Sequence, residues 1–295
     1  MSEQLSVAVV GAGNMGGAML ARLRDLGWSV GVHDTDPQAQ SRAVACGAVP
    51  CASPRRAASL LAPHGVLLVA VVDAAQTEAV LWGPEGVGPA LAPGQTVMLC
   101  PTLGPEDVQH QAERLARLGV DCIDAPMSGG PLRARQGTMS LMVACADPVW
   151  QRSQDLLQAL SQQVFRVGVR AGDGARTKLV NNLLAAINLA GAAEALALAE
   201  RMGLNPAVTL SVIEASSGQS WIGSDRMHRA LADDFEPRAH VSLLAKDTGL
   251  ALAAAGRVSF DPPLGRVACD LFAQAMAQGW APLDDAALLK LLRQR

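Results

Sequence analysis

A lysine and two asparagines, Lys178, Asn181 and Asn182, stand close together just past the middle of the chain. Lys178 and Asn182 are four residues apart, so a helix would place both side chains on one face. A lysine in such a position can transfer a proton to or from a reacting oxygen. Burying the lysine or the amide among apolar residues costs free energy unless a partner or a substrate satisfies it. The alternative is a partly exposed helix whose lysine extends into solvent and has no chemical role.

A serine followed by two glycines, Ser128, Gly129 and Gly130, comes shortly after a predicted strand within the segment DAPMSGG at 124–130. The serine hydroxyl and the amides of two flexible glycines form the kind of concavity that binds anions, so a carboxylate is a candidate ligand. An ordinary loop is the other interpretation, because serine and glycine are common in turns.

The apolar run Val7–Val10 is followed at once by GAGNMG at residues 11–16. The pattern G-x-G-x-x-G between a strand and a helix is typical of dinucleotide binding. Gly11 permits the tight turn, Gly13 lets the backbone approach a pyrophosphate, and Gly16 lets the helix pack closely on the strand. A glycine cluster can also be a purely structural turn, but its place at the start of a βαβ unit favours a dinucleotide.

Asp34 ends the second predicted strand, where an acidic residue binds the ribose hydroxyls of adenosine. Between residues 32 and 40 there is no lysine or arginine to bind a 2′-phosphate, and Asp36 adds further negative charge. The sequence therefore predicts NAD as the cofactor, with NADP less favoured.

The elements that must position these residues change in type along the chain. In the first 168 residues the apolar runs are continuous, as in strands buried on both faces of a parallel sheet. Segments with helical periodicity, such as 15–26 and 105–118, lie between them, which predicts a doubly wound α/β domain. The predicted strands are Val7–Val10, 29–32, 66–72, Thr96–Leu99 and 122–123.

From residue 175 onward the chain is rich in alanine, leucine and glutamate and contains no convincing strand. The pattern predicts one long helix over 175–202, closed by Gly203, and a new helix that begins at Asn205 and Pro206. We place the domain boundary at 168–172. A Rossmann dinucleotide-binding domain is predicted over 1–168, and an all-helical substrate and oligomerisation domain over 169–295.

The composition argues against several other classes of protein. A net charge of −3 provides no electrostatic footprint for nucleic acid or an anionic membrane. The six cysteines form no CxxC pair and have no histidine at metal spacing, so we expect reduced thiols and no metal site. The absence of tyrosine excludes dehydrogenase chemistry that relies on a tyrosine acid. Residues 1–5 carry no basic region, and polar residues interrupt the apolar stretch 179–199. We therefore expect no signal peptide, no membrane span and a cytoplasmic location.

Taken in order, these motifs resemble the β-hydroxyacid dehydrogenases, the family that includes 3-hydroxyisobutyrate dehydrogenase, tartronate semialdehyde reductase and 6-phosphogluconate dehydrogenase. The resemblance spans the chain through residues 11–16, 124–130, 172–182 and the pair Lys246 and Asp247. It implies a Rossmann domain joined by a long helix to an all-α domain.

The resemblance also implies roles for individual residues. Lys178 would be the catalytic acid/base, and Asn182 would act beside it and bind the substrate. The substrate-binding set would be Ser128, Gly129, Gly130, Asn182 and Trp221. The cofactor-binding set would be Gly11, Ala12, Gly13, Asn14, Met15, Asp34, Thr35, Val72, Thr102 and Lys246.

Oxidation of an alcohol requires loss of a hydride and of the hydroxyl proton. A lysine has an ordinary pKa of about 10.4, so it must be held as a neutral amine to accept that proton near neutral pH. Burial among leucines and a second cation, for which Lys246 is the candidate, are expected to favour the neutral form.

Residues 71–83, 215–221 and 234–237 are similar to the branch of this family that oxidises L-threonate. The resemblance thus implies NAD-dependent oxidation of a small hydroxy acid, such as this four-carbon sugar acid, with Trp221 lining the pocket. A Trp221 that merely packs in the core is the alternative. Three other functions stay open: oxidation of 3-hydroxyisobutyrate, reduction of tartronate semialdehyde, and dinucleotide binding by a non-catalytic regulator. The apolar second half of the chain indicates a homodimer or homotetramer, as does the resemblance to a family whose members are commonly oligomeric.

Overall fold

The computed structural model describes residues 6–295. Residues 1–5, on which the expectation of no signal peptide depends, lie outside this range. The chain forms two compact units, one ending at Lys178 and the other beginning at Leu179. Each unit is described by itself below.

The first unit contains a nine-stranded sheet with helices between its strands. The strands are β1 Val7–Val10, β2 Val30–His33, β3 Val49–Pro50, β4 Val66–Val69, β5 Thr96–Leu99, β6 Asp121–Asp124, β7 Met127–Ser128, β8 Ser140–Ala144 and β9 Gln163–Gly168. The helices are α1 Asn14–Asp25, α2 Pro37–Ala45, α3 Pro54–Ala58, α4 Ala74–Trp82, α5 Pro105–Ala116, α6 Gly130–Gln136, α7 Asp147–Arg152 and α8 Gln154–Leu160, with a 3-10 turn at Gly88–Ala90.

The strand order is β3-β2-β1-β4-β5-β6-β8-β7, with β9 beside β8. All pairings from β3 to β6 are parallel, whereas β8 runs antiparallel to β6 and β7. The direction of strand progression reverses between β1 and β4, which is the topological switch point where open α/β sheets bind ligands. The carboxyl ends of β1, β2, β4, β5 and β6 therefore share one edge, and the predicted α/β class is confirmed.

Continuous apolar runs form the central strands because both faces of the sheet are covered. Val7 and Val9 of β1 pack in one core, whereas Ala8 and Val10 pack in the other. The predicted strand over 66–72 is shorter in the structure: β4 ends at Val69, and Val72 is exposed in the loop that follows.

The second unit is entirely helical in the part that the structure describes. The long helix α9 runs through the division between the units. The remaining helices are α10 Pro206–Glu214, α11 Trp221–Leu231, α12 Val241–Arg257, α13 Pro263–Ala277 and α14 Leu288–Arg293, with a 3-10 turn at Asp285–Ala287. The long helix predicted over 175–202 is α9, Asp173–Arg201, and Gly203 follows it in the left-handed conformation with φ of 75°. Asn205 caps α10 as predicted.

By length and composition alone, α9 is the one helix among residues 6–295 that could cross a membrane. Core helices of soluble proteins pass the same test. Ala186, Leu189, Ala193 and Leu196 of α9 are fully buried in the core of the second unit, together with Phe272 of α13. Packing within that core explains the apolar residues on the buried face of α9.

Candidate functional site

The turn between β1 and α1 requires glycine at two positions. Gly11 has a φ of 94°, and a Cβ atom there would lie 2.6 Å from the carbonyl oxygen of Ala70. A Cβ on Gly16 would overlap the carbonyl oxygen of Gly11 and lie 2.9 Å from the Cβ of Ala70. These contacts bring α1 closer to β1 and β4 than any larger residue permits.

Gly13 has a different environment, because a Cβ built on it meets no atom within 4 Å. The space beside it is therefore open, directly at the start of α1. Gly13 occupies the N-cap position, and no side chain caps the helix there. The first amides of a helix lack partners within the helix and attract anions. This turn fits the pyrophosphate of a dinucleotide, which would occupy the open space.

Asp34 follows β2 at the same edge of the sheet and is held by two backbone amides. Its Oδ2 accepts a hydrogen bond from the amide of Ala12, and its Oδ1 accepts one from the amide of Asp36 at 2.8 Å. The amide of Asp34 itself donates to Oε1 of Gln40 at 3.0 Å. The carboxylate is thus oriented beside the glycine turn, where it can accept hydrogen bonds from a ribose diol.

The other predicted cofactor residues of the first unit also lie at the start of α1 or at the carboxyl ends of parallel strands. Ala12 is buried in the turn, Asn14 and Met15 begin α1, and Thr35 is exposed beyond Asp34. Thr102 follows β5. The amide of Val72 donates to Oε1 of Gln76 at 3.0 Å, which fixes the loop after β4. Gln40 and Gln76 have no sequence signal that would have identified them.

The Ser128 loop has two successive residues in a backbone region that favours glycine. Ser128 ends β7, where it pairs with Ser140 of β8. Gly129 and Gly130 have φ values of 128° and 74°, a conformation that favours glycine at both positions. Two larger residues would adopt this backbone conformation only with strain.

Asp124, the last residue of β6, is 1% exposed. Its Oδ2 accepts hydrogen bonds from the amide of Gly172 at 2.8 Å and from the amide of Ala175 at 3.0 Å. Burial raises the pKa of Asp124 to about 6, although these backbone hydrogen bonds act in the opposite direction. The sequence alone predicts no role for Asp124. An acidic residue at the end of a buried strand is the signal that could have identified it.

Lys178 lies in the second turn of α9 and is 7% exposed, so the partly exposed lysine of the alternative interpretation is not what the structure contains. Its apolar neighbours along the helix are less uniformly buried than the sequence suggests. Leu179 is 2% exposed, whereas Val180 and Leu184 are 71% and 57% exposed.

Asn182 is buried in the second unit and has partners for both ends of its amide. Its Nδ2 donates to Oδ2 of Asp247 at 2.6 Å, and its Oδ1 accepts from Nδ2 of Asn181 at 3.0 Å. Nζ of Lys246 binds the other carboxylate oxygen of Asp247 at 2.7 Å. Asp247 thus orients Asn182 and compensates the charge of Lys246, the residue predicted as the second cation.

Trp221 begins α11 in the second unit, where the Oγ of Ser220 caps the helix. Its side chain is 49% exposed, which is not the burial of a core tryptophan. The guanidinium of Arg226 lies 6.0 Å from the ring centroid and forms a salt bridge with the buried Asp285. The ring is therefore adjacent to a fixed charge network and partly open to solvent. Among residues 6–295 there is no group of three side chains suited to hold a metal ion.

Two family models cover nearly the whole chain. The NAD-binding domain of 6-phosphogluconate dehydrogenase matches residues 6–168, and the NAD-binding region of NADP-dependent 3-hydroxyisobutyrate dehydrogenase matches residues 172–292.

Full-length relatives give the same result. The L-threonate dehydrogenase of Cupriavidus necator is 36% identical over 97% of this chain and 95% of its own length. The 3-hydroxyisobutyrate dehydrogenase of Pseudomonas aeruginosa is 36% identical over 97% of this chain and 98% of its own length. The crystal structure of a 3-hydroxyisobutyrate dehydrogenase from Salmonella typhimurium is 34% identical, covers 98% of this chain and 100% of that one, and has a TM-score of 0.91.

The chain belongs to the β-hydroxyacid dehydrogenase family, the family of the 3-hydroxyisobutyrate and 6-phosphogluconate dehydrogenases. It carries an NAD-binding domain and is an oxidoreductase of the class that acts on CH–OH groups. The resemblance described above is confirmed, whereas the roles of individual residues stay predictions.

The two glycine environments predict different effects of the same substitution. Gly13→Ala should change the free energy of unfolding by less than about 1 kcal/mol. It should nevertheless weaken NADH binding about tenfold or more, because the methyl group occupies the space for the pyrophosphate. Gly16→Ala should destabilise the protein by about 1–3 kcal/mol through overpacking. Fluorescence titration with NADH and thermal unfolding measure the two effects. Wild-type NADH affinity in Gly13→Ala would contradict the site.

Proposed function

We propose that this chain is an NAD-dependent dehydrogenase of a small hydroxy acid, and that its substrate is a four-carbon sugar acid such as L-threonate. The observation that carries the proposal is the buried Lys178 on a helix that also carries the oriented Asn182. The L-threonate dehydrogenases of Cupriavidus necator and Escherichia coli, 36% and 35% identical over nearly the whole chain, support the substrate.

In this proposal, residues 1–168 form the cofactor domain and residues 169–295 the substrate and oligomerisation domain. The pyrophosphate binds at Gly11, Ala12 and Gly13 beside Asn14 and Met15. The remaining cofactor contacts come from Asp34, Thr35, Val72, Thr102 and Lys246. A dinucleotide held by these residues would supply the hydride acceptor for the oxidation.

The charge at Asp34 supports NAD over NADP. Its carboxylate is fixed by the amides of Ala12 and Asp36, so it cannot turn away without losing both hydrogen bonds. A fixed carboxylate accepts hydrogen bonds from the two ribose hydroxyls of NAD and repels the 2′-phosphate of NADP. Arg42 is the nearest basic residue along α2, and its Nη2 lies 4.0 Å from the carboxylate of Asp36.

The chain's own residues then handle the proton and the substrate. Nζ of Lys178 accepts the hydroxyl proton of the substrate as the alcohol becomes a carbonyl, and it returns that proton in the reverse reaction. Asn182, held by Asp247, binds the substrate's polar groups. Ser128, Gly129 and Gly130 bind the carboxylate through the hydroxyl and the backbone amides. Trp221 completes the proposed substrate-binding set.

Replacing Lys178 by alanine should lower kcat by about 10²–10⁴-fold, the range typical of lost general acid–base catalysis. The Kd for NADH should stay within about twofold, because the residue is not needed for pyrophosphate or ribose binding. Arg176→Ala, on the exposed side of the same helix, serves as the control and should keep its turnover. Steady-state kinetics and NADH titration give both values. Near-normal turnover in Lys178→Ala would rule out the role of the lysine.

A panel of hydroxy acids of two to six carbons, assayed for NADH and NADPH formation, tests the substrate. L-threonate with NAD should give the highest kcat/KM. A higher kcat/KM for 3-hydroxyisobutyrate would favour 3-hydroxyisobutyrate dehydrogenase, the activity of the relative from Pseudomonas aeruginosa. A higher kcat/KM for the reduction of tartronate semialdehyde would favour tartronate semialdehyde reductase. If no member of the panel reacts while NADH still binds, the protein is a dinucleotide-binding regulator instead.

The same proposal makes the protein a cytoplasmic homodimer or homotetramer with no nucleic acid or membrane partner. Exposed apolar side chains at the end of α9, just after it and on α13 support an assembly through the helical unit: Leu198 58%, Met202 67%, Leu264 65% and Val267 58% exposed. Sedimentation velocity should give at least twice the mass of 30.6 kDa. Leu264→Glu should lower that mass, whereas Leu132→Glu, equally exposed on α6, should not. A monomeric wild-type protein would contradict the assembly.

A further inference from the structure

The side chain of Asp124 joins the end of β6 to the start of α9 within the first unit. Asp124 is paired in register with Leu99 of β5 and Ala144 of β8, so its backbone is fixed in the sheet on both sides. At 1% exposure its carboxylate has almost no access to solvent. A buried carboxylate must find its hydrogen bonds within the protein.

Those hydrogen bonds come from the first turn of α9 and the residue just before it. Oδ2 of Asp124 accepts from the amides of Gly172 and Ala175, which are among the groups that a helix cannot satisfy itself. Asp124 thus acts as the N-terminal cap of α9, although it lies 48 residues earlier than Gly172. The local acidic residue, Asp173, is paired with Arg170 and Arg176 instead.

The glycines at the start of α9 allow this carboxylate to approach. Gly172 has a φ of 94°. A Cβ atom on Gly174 would lie 2.8 Å from both Cγ and Oδ1 of Asp124 and 2.8 Å from the carbonyl oxygen of Met142. A side chain at Gly174 would therefore push Asp124 and α9 apart.

Lys178 follows Ala175 by three residues, about 4.5 Å along the helix axis. The two hydrogen bonds to Asp124, which we call the clamp, therefore lie within the same unit as the lysine, and the nearer one is less than one turn before it. We propose that Asp124 is a positioning residue that fixes the first turn of α9 and thereby sets where the amine of Lys178 stands. This inference rests on the proposed role of Lys178 as acid/base. Removing the clamp should let the first turn loosen and displace the amine from the reacting oxygen.

A double-mutant cycle between Asp124 and Lys178 tests the proposal. Asp124→Asn keeps the shape of the side chain but loses the charge that faces the helix amides. We expect kcat to fall about 10–100-fold, since a displacement of about 1 Å can cost about 10²-fold. The Kd for NADH should not change. In the Lys178→Ala background, Asp124→Asn should cause no further loss, because a residue that acts through the lysine has nothing left to position.

Asp121→Asn provides the matched control. Asp121 begins the same strand, and its carboxylate is bound to Arg152 rather than to α9. The control should lower stability without changing kcat. Gly174→Ala provides a second route to the same effect if Asp124→Asn does not fold, since it displaces the carboxylate without removing it.

The outcomes separate the inference from the proposed function. If Lys178→Ala keeps its turnover, the proposed role of the lysine fails, whatever Asp124 does. If Lys178→Ala loses turnover but Asp124→Asn and Gly174→Ala do not, the positioning role is wrong. Equal losses of kcat from Asp124→Asn in the wild-type and Lys178→Ala backgrounds would likewise overturn it, because the residue would then act independently of the lysine.

Discussion

The first amides of a helix have no partners within the helix, and the first unit uses this property in two opposite ways. At α1 no side chain caps the helix, and the space beside Gly13 is open, so the amides are available to an anionic ligand. At α9 the buried carboxylate of Asp124 occupies the corresponding place and binds the amides of Gly172 and Ala175. The start of α1 is therefore open to an anionic ligand, whereas the start of α9 is closed by a side chain of the protein itself.

Both arrangements depend on glycine, for different physical reasons. Gly16 and Gly174 remove a Cβ atom where two pieces of the protein come into contact, whereas Gly13 removes one where a ligand would lie. The parallel strands end at one edge of the sheet, so the glycine turn, Asp34 and Asp124 all lie at that edge.

The helical unit buries polar side chains of its own and supplies them with hydrogen-bond partners. The Asn182 side chain donates a hydrogen bond to Asp247 and accepts one from Asn181. Lys246 balances the charge of Asp247. A buried amide with partners at both ends has one favoured orientation rather than two. Charge pairs deeper in the unit, such as Arg226 with Asp285, hold the helix that begins at Trp221.

Local patterns in the sequence were sufficient to predict five of the nine strands of the sheet, the glycine turn, the long helix that ends before Gly203 and the next helix capped by Asn205. Each of these features depends on neighbours within a few residues, through periodicity, backbone conformation or capping, whereas the family was predicted from several motifs in order along the chain. The tertiary structure alone decided which distant partners satisfy the buried polar groups. Asp124 meets Gly172, and Asn182 meets Asp247 from 65 residues away, because the fold brings together segments whose sequences carry no record of each other. The spacing of Lys178 and Asn182 is thus a local property of the sequence, whereas only the folded chain supplies the carboxylate that binds Asn182 and the one that binds the first turn of α9.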